Sequence, residues 1–310
     1  MQLSIVVPCY NEEEVLPETS RRLLELLDHL CHQGKIDRSS GIYFVDDGSR
    51  DRTWSLIEGL ARTHEAVHGI KLSRNQGHQK ALLAGLETAP GDALISIDAD
   101  LQDDVSVMEA MVDRHHEGYD VVYGVRHRRD SDTAFKRWTA QTYYRVLHFL
   151  GVRIVYNHAD YRLLSRRALE SLKEFREVNL FLRGIIPLLG FRSTSVTYDR
   201  TRRFAGESKY PLRKMLTLAV DGVTSFSAVP LRLITILGVV IFLGSMLIAL
   251  WALWVRLVGD SAVPGWASTV IPFYFLGGVQ LFCIGVIGEY LGKVFEEVKG
   301  RPRYFIEEEV

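Results

Sequence analysis

The first half of the chain alternates short apolar runs with longer segments whose apolar positions recur every three or four residues. Runs at 3–7, 42–45, 69–72, 93–97 and 120–123 read as buried strands. Helical periodicity between them extends to about residue 30, through 60, through 86 and to about 116. Glu12, Glu13 and Glu14 open the first helix, Asp51 or Thr53 is placed to cap the second, and the fourth starts near Ser106. This alternation predicts an α/β fold: a mostly parallel, doubly wound sheet with helices on both faces. Residues 136–150 read as a further helix with a basic start. Residues 157–164 read as an edge strand carrying Asp160 and Arg162, and 191–198 as another strand.

The pattern changes in the last third. No charged residue occurs from 233 to 255, with Arg232 and Arg256 as brackets, and a second uncharged stretch runs from 261 to 288. About 20 apolar residues suffice to cross a bilayer core as a helix. The expected layout is a catalytic domain over 1–211, an amphipathic interfacial helix over 212–230, transmembrane helices over 231–257 and 268–292, and a tail over 293–310. Arg213, Lys214 and Arg232 precede the first span, and Lys293, Lys299, Arg301 and Arg303 follow the second. The connecting loop offers only Arg256 and Asp260. The positive-inside rule then predicts a multi-pass protein of the inner, cytoplasmic membrane, with its N-terminal domain and both termini in the cytoplasm.

Composition narrows this further. A formal charge of −1 over 310 residues gives no reason to expect a nucleic-acid partner. Cys9, Cys31 and Cys283 are too far apart for a metal-ligand pattern or a disulfide framework. The first eight residues are too short for the apolar core of a signal peptide.

Candidate chemistry gathers where the strands end. In parallel sheets ligands bind beyond the carboxyl ends of the strands. Those ends here carry Tyr10 to Glu12, Asp46 and Asp47, Arg74, Asp98 to Gln102, and Gly124 with Arg126. The carboxylates of Asp98, Asp100, Asp103 and Asp104 repel one another unless a cation or donors intervene. If extension continues past residue 97, Asp98 and Asp100 project to one side and Gln102 follows. Such oxygen ligands suit Mg²⁺ or Mn²⁺; the alternative is a solvated acidic turn. No strand leads into a glycine-rich phosphate cradle, so a bound nucleotide would need another partner for its phosphates. A basic loop with one glycine, residues 199–210, precedes the interfacial segment.

The motifs VVPCYNEEE, FVDDGSRDRT, LSRNQGHQKALLAGL, DADLQDD and RFAGESKY, in this order, resemble glycosyltransferase family 2. With two apolar helices after them they are similar to its polyisoprenyl-phosphate glycosyltransferase branch. NHADYRLLSR is most similar to the bactoprenol glucosyltransferases within that branch. The resemblance implies a GT-A fold and an inverting, metal-dependent transfer of a hexose from a nucleotide-diphosphate sugar to a polyprenyl monophosphate. Glucose from UDP-glucose and undecaprenyl phosphate are favoured; mannose from GDP-mannose, or aminoarabinose, is the alternative. By the same resemblance Pro8, Tyr10, Glu12, Asp46 and Asp47 contact the nucleotide, with Arg74 beside them. Asp98, Asp100 and Gln102 hold the divalent ion. Arg126, Arg203, Lys209 and one of Lys136 or Arg137 hold the acceptor phosphate. Asp160 is either a base or sugar contact, or an ion-pair partner of Arg162 or Arg166.

A phosphate monoester has its second pKa near ~6 and needs positioning more than deprotonation, which makes a base optional. A homo-oligomer is expected, and the small hairpin implies a separate flippase for the product. A processive polysaccharide synthase should carry Q-x-x-R-W; here Ala134 stands at the glutamine position before Arg137-Trp138. A non-enzymatic scaffold or sugar-nucleotide sensor is the remaining alternative.

Overall fold

A computed structural model describes residues 1–126, 158–177, 182–199, 229–258 and 265–310. They divide into two units, one built on a sheet that also takes in Gly300–Val310, the other holding two long apolar helices.

The sheet unit begins β1 (Leu3–Cys9), α1 (Leu16–His32), β2 (Gly41–Asp46), α2 (Thr53–Thr63), β3 (Val67–Leu72), α3 (His78–Thr88), β4 (Ala93–Ser96), α4 (Val107–His116) and β5 (Val121–Arg126). It continues with β6 (His158–Ser165), α5 (Arg166–Lys173), the one-turn α6 (Leu182–Ile185), a 3-10 turn (Ile186–Leu189) and β7 (Ser193–Tyr198). The strand order is β7-β5-β6-β4-β1-β2-β3-β8, where β8 (Ile306–Glu309) comes from the chain's last residues.

β1 is central and buried on both sides, as its unbroken apolar run requires. Leu3, Ile5 and Val7 face a core shared with Leu23 and Leu27 of α1, Ile57 of α2 and Met108 and Met111 of α4. Val6 points to the opposite face, under α3. A Cβ added at Gly85 of α3 would lie 2.4 Å from Val6 Cγ1 and 2.7 Å from Val45 Cγ2, so only glycine lets that helix approach so closely.

One expectation is corrected here. β6 is not an edge strand: it lies between β4 and β5, antiparallel to both. Its Asp160 and Arg162 suggest exposure, yet they are 5 % and 1 % exposed because they pair with each other. The edge positions belong to β7 and β8. The tail, read as a segment beyond the second span, ends as strand β8, antiparallel to β3.

In the second unit, α7 (Val229–Val258) and α8 (Trp266–Val298) are 30 and 33 residues long. At ~1.5 Å per residue each exceeds the roughly 30 Å thickness of a bilayer core. The windows Val229–Leu247 and Phe275–Val298 have no buried residue, and Phe242, Leu247, Trp254, Phe282 and Leu291 stand exposed. Both helices are long and apolar enough to cross a membrane.

Candidate active site

The candidate residues gather where strands end along one edge of the sheet. The parallel strands β1, β2, β3, β4 and β5 finish there, and antiparallel β6 starts there. The loops after β1 and β2 are stitched together. Asn11, at φ +55°, donates its N–H to Ser49 Oγ at 2.9 Å, and its Oδ1 accepts from Arg50 N at 2.8 Å. Glu12 N–H donates to Thr53 Oγ1 at 2.9 Å, and Asp51 accepts from both N–H and O–H of Thr53 at the start of α2.

Asp47 joins a third loop to these two. Its carboxylate accepts from Gln76 N at 2.6 Å and Gly77 N at 2.9 Å, just before α3. Burial raises its pKa against those two bonds. Neighbouring Asp46 is fully buried, turned back to Ser49 N–H, and also raised by burial. Gly48 holds φ +65° between the loops; a Cβ there would lie 2.7 Å from Asn75 N. Pro8 is buried inside β1, whereas Tyr10 and Arg74 are exposed on the edge.

The acidic motif departs from the extended reading. β4 stops at Ser96, and Leu101 adopts φ +54°, so Gln102 does not continue the line of Asp98 and Asp100. Gln102 is 6 % exposed, and its N–H donates to Asp100 Oδ1 at 3.2 Å. A bulky residue in the left-handed region is uncommon, and such strain concentrates at functional sites.

Asp98 Oδ1 is buried without a hydrogen-bond partner. It lies 3.4 Å from His78 Nε2, and the same nitrogen lies 3.6 Å from Asp160 Oδ2. Burial raises the pKa of Asp98, with Asp160, Asp103 and Asp100 adding to it and His78 opposing. Burial would lower His78, but the carboxylates of Asp160 and Asp98 outweigh it and raise the imidazole.

Asp160 is the most heavily bonded group. Arg162 Nη2 donates to its Oδ1, Arg183 donates to both oxygens at 3.2 and 2.9 Å, and Gln79 Nε2 donates at 3.1 Å. Burial would raise its pKa, but Arg162, His78 and Arg183 hold it well below the carboxylate range. Of its two expected partners, Arg162 is correct. Arg166 instead donates to the carbonyls of Gly91 and Ala89.

At the end of β5, Arg126 Nη2 lies 3.2 Å from Asp103 Oδ1, which also accepts from Tyr198 OH at 2.6 Å. Asp103 thereby ties the acidic motif to β5 and β7. Lys136, Arg137, Arg203 and Lys209 lie outside the described residues, as does nearly all of the expected interfacial helix at 212–230.

Among the described residues no three His, Cys, Asp or Glu side chains form a ready-made metal cage. Mg²⁺ and Mn²⁺ do not require one. A small divalent ion at a phosphate site is held by one or two carboxylates, with substrate oxygens and water completing the shell. The Asp98 oxygen, which has His78 3.4 Å away but no hydrogen-bond partner, fits that demand together with Asp100.

The model of the family described as Glycosyl transferase family 2 matches residues 4–173. The chain belongs to that family and is a glycosyltransferase. It is 53 % identical over 98 % of its length to the uncharacterized glycosyltransferase YkoT of Bacillus subtilis, covering 91 % of that protein. It is 40 % identical over 99 % of its length to an SfII prophage-derived bactoprenol glucosyl transferase of Shigella flexneri, covering 97 % of it. Mannosyl-3-phosphoglycerate synthase from Rubrobacter xylanophilus shares 18 % identity and a TM-score of 0.49, over 75 % of this chain and 74 % of that one.

Proposed function

We propose that the chain transfers glucose from UDP-glucose to undecaprenyl phosphate at the cytoplasmic face of the membrane. One observation carries this reading. The chain aligns end to end, apolar helices included, with bactoprenol glucosyl transferase. An acceptor that is itself a lipid accounts for why those helices accompany the transferase domain.

The reaction forms a bond between an acceptor phosphate oxygen and the sugar's anomeric carbon, on the face opposite the bond that breaks. The nucleoside diphosphate leaves with the electron pair. The loops after β1 and β3 carry Tyr10, Glu12 and Arg74 for the nucleotide. Asp47 acts from beneath by holding the third loop. A divalent ion on Asp98 and Asp100 would offset the charge that develops on the leaving diphosphate. Gln102 supports Asp100 through its backbone N–H. Arg126 at the β5 end, with Arg203, Lys209 and either Lys136 or Arg137, would grip the acceptor phosphate.

Asp160 serves this chemistry as a fixed anion, not as a base. Its carboxylate is held ionised by three cations and is a poor proton acceptor. A dianionic phosphate has no proton to give up, so none is needed. The product stays in the cytoplasmic leaflet until a separate flippase carries it across, and the active form is a homo-oligomer.

The test incubates membranes holding the full chain with labelled UDP-glucose, GDP-mannose and other donors, with and without undecaprenyl phosphate. Label should enter the organic phase from UDP-glucose alone, only with acceptor, stop with EDTA and resume with Mg²⁺ or Mn²⁺. Transfer from GDP-mannose instead would replace the sugar. No transfer from any donor would refute the function.

A further inference from the structure

The last residues of the chain grip the β3–α3 unit at both ends. β8 pairs antiparallel with β3, with Ile70 opposite Glu309 and Leu72 opposite Ile306. Gly69 and Val310 exchange both backbone hydrogen bonds, at 2.8 and 3.0 Å. The pairing runs past the end of β3: Ser73 N–H donates to Phe305 O at 3.0 Å, one residue before Arg74. At the far end of α3, Tyr304 OH donates to Glu87, and Arg303 Nη1 lies 3.7 Å from the same carboxylate. Arg303 also donates to the carbonyl of Phe175, beyond α5.

Between these two grips lie Arg74, Gln76, Gly77, His78 and Gln79. Two of them accept the support of Asp47, and two face Asp160. Helix α3 itself packs closely over β1 and β2, where Gly85 brings it against Val6 and Val45. The loop from 73 to 77 is therefore fixed from below by Asp47, at its start by Phe305 and through α3 by Tyr304 and Arg303.

We infer that residues 303–310 position the donor side of the active site, with Tyr304 and Arg303 acting through Glu87 and the backbone of Phe305 acting through Ser73. The tail touches no reacting group. It sets where the third nucleotide loop and His78 stand, so its loss should weaken donor use and spare the acceptor. The assignment of that loop to the donor rests on the function proposed above; the anchoring of the loop does not.

The experiment compares the full-length protein with Tyr304→Phe, which removes one hydroxyl, and with a chain ending at Gly300. KM is measured for the nucleotide sugar and for the polyprenyl phosphate, and backbone hydrogen exchange is followed over 73–80. Misplacement of a binding group by ~1 Å can cost up to ~100-fold, so Tyr304→Phe should raise donor KM roughly 3-fold and the truncation roughly 10-fold or more, with acceptor KM within about 2-fold. Exchange over 73–80 should rise in both variants.

A tail that only adds stability would lower the thermal midpoint and leave the ratio of the two KM values and the exchange of 73–80 unchanged; that result overturns the inference. If the truncated chain does not accumulate, Tyr304→Phe decides alone. Exchange requires no substrate, so it tests the anchoring even if every donor assay fails.

Discussion

Asp160 is a buried anion among Arg162, Arg183 and His78, and Arg162 is itself 1 % exposed with Nε and Nη1 unpartnered. Removing one member of a buried ion pair leaves an uncompensated charge and costs about 3–5 kcal/mol. Asp160→Asn should therefore lower the thermal midpoint well before any loss of a proton-transfer step becomes visible. A carboxylate with a depressed folded-state pKa stabilises the fold above its unfolded value, and that contribution is lost as pH falls through the folded pKa. Wild type and Asp160→Asn should differ most near neutrality and converge as the pH falls below about 4. A variant of unchanged stability, whose kcat has lost a pH-dependent limb that wild type shows, would restore Asp160 as a base.

At this scale the sequence marked Asp98, Asp100, Asp160 and Arg126 as residues to examine. It gave no sign of Arg183, which sits on a single helical turn without periodicity. His78 was within reach of the rule that ligands gather past strand ends. As a lone histidine after a strand it reads from the sequence as structural or as a loop contact.

The elements fall into two kinds. β1 to β5 were readable because each is an apolar run between polar helices, and such runs are long enough for the pattern to show. β6 was read as an edge strand, and β8 was not anticipated. β6 hides a charged pair in the middle of the sheet, so its polarity suggests an edge. β8 contains Glu307, Glu308 and Glu309, which suggests solvent, and an edge strand needs few apolar side chains.

The loops at the site depend on backbone freedom at particular points. Gly48→Ala would place a methyl against Asn75 N in a left-handed conformation and should cost about 1–3 kcal/mol. It should also raise donor KM, since the displaced residues adjoin Arg74. Thermal unfolding and donor titration on the same preparation measure both. An unchanged donor KM would separate this loop from the nucleotide.

On the scale of the molecule, two apolar helices lie between the transferase domain and its own last strand. If both cross the bilayer, the chain should stay in membranes through an alkaline carbonate wash and come out only with detergent. Cysteine probes placed at 260 should be labelled from the side opposite those at the two termini. Labelling of all three positions from one side would mean that the helices do not span. The two apolar helices were legible in the sequence, because each uncharged stretch is long enough to form a helix that could cross a membrane. How the helices pack was not legible, because their apolar residues cover every face.

The direction of β6 has a further outcome. Arg126 ends β5 and His158 begins β6, opposite Val125, so both lie on the rim that carries the candidate site. Because β6 runs against its neighbours β4 and β5, it delivers Asp160, near its start, to the rim where β1 to β5 end. A parallel strand in that slot would have carried Asp160 to the opposite side of the sheet, away from His78 and Gln79.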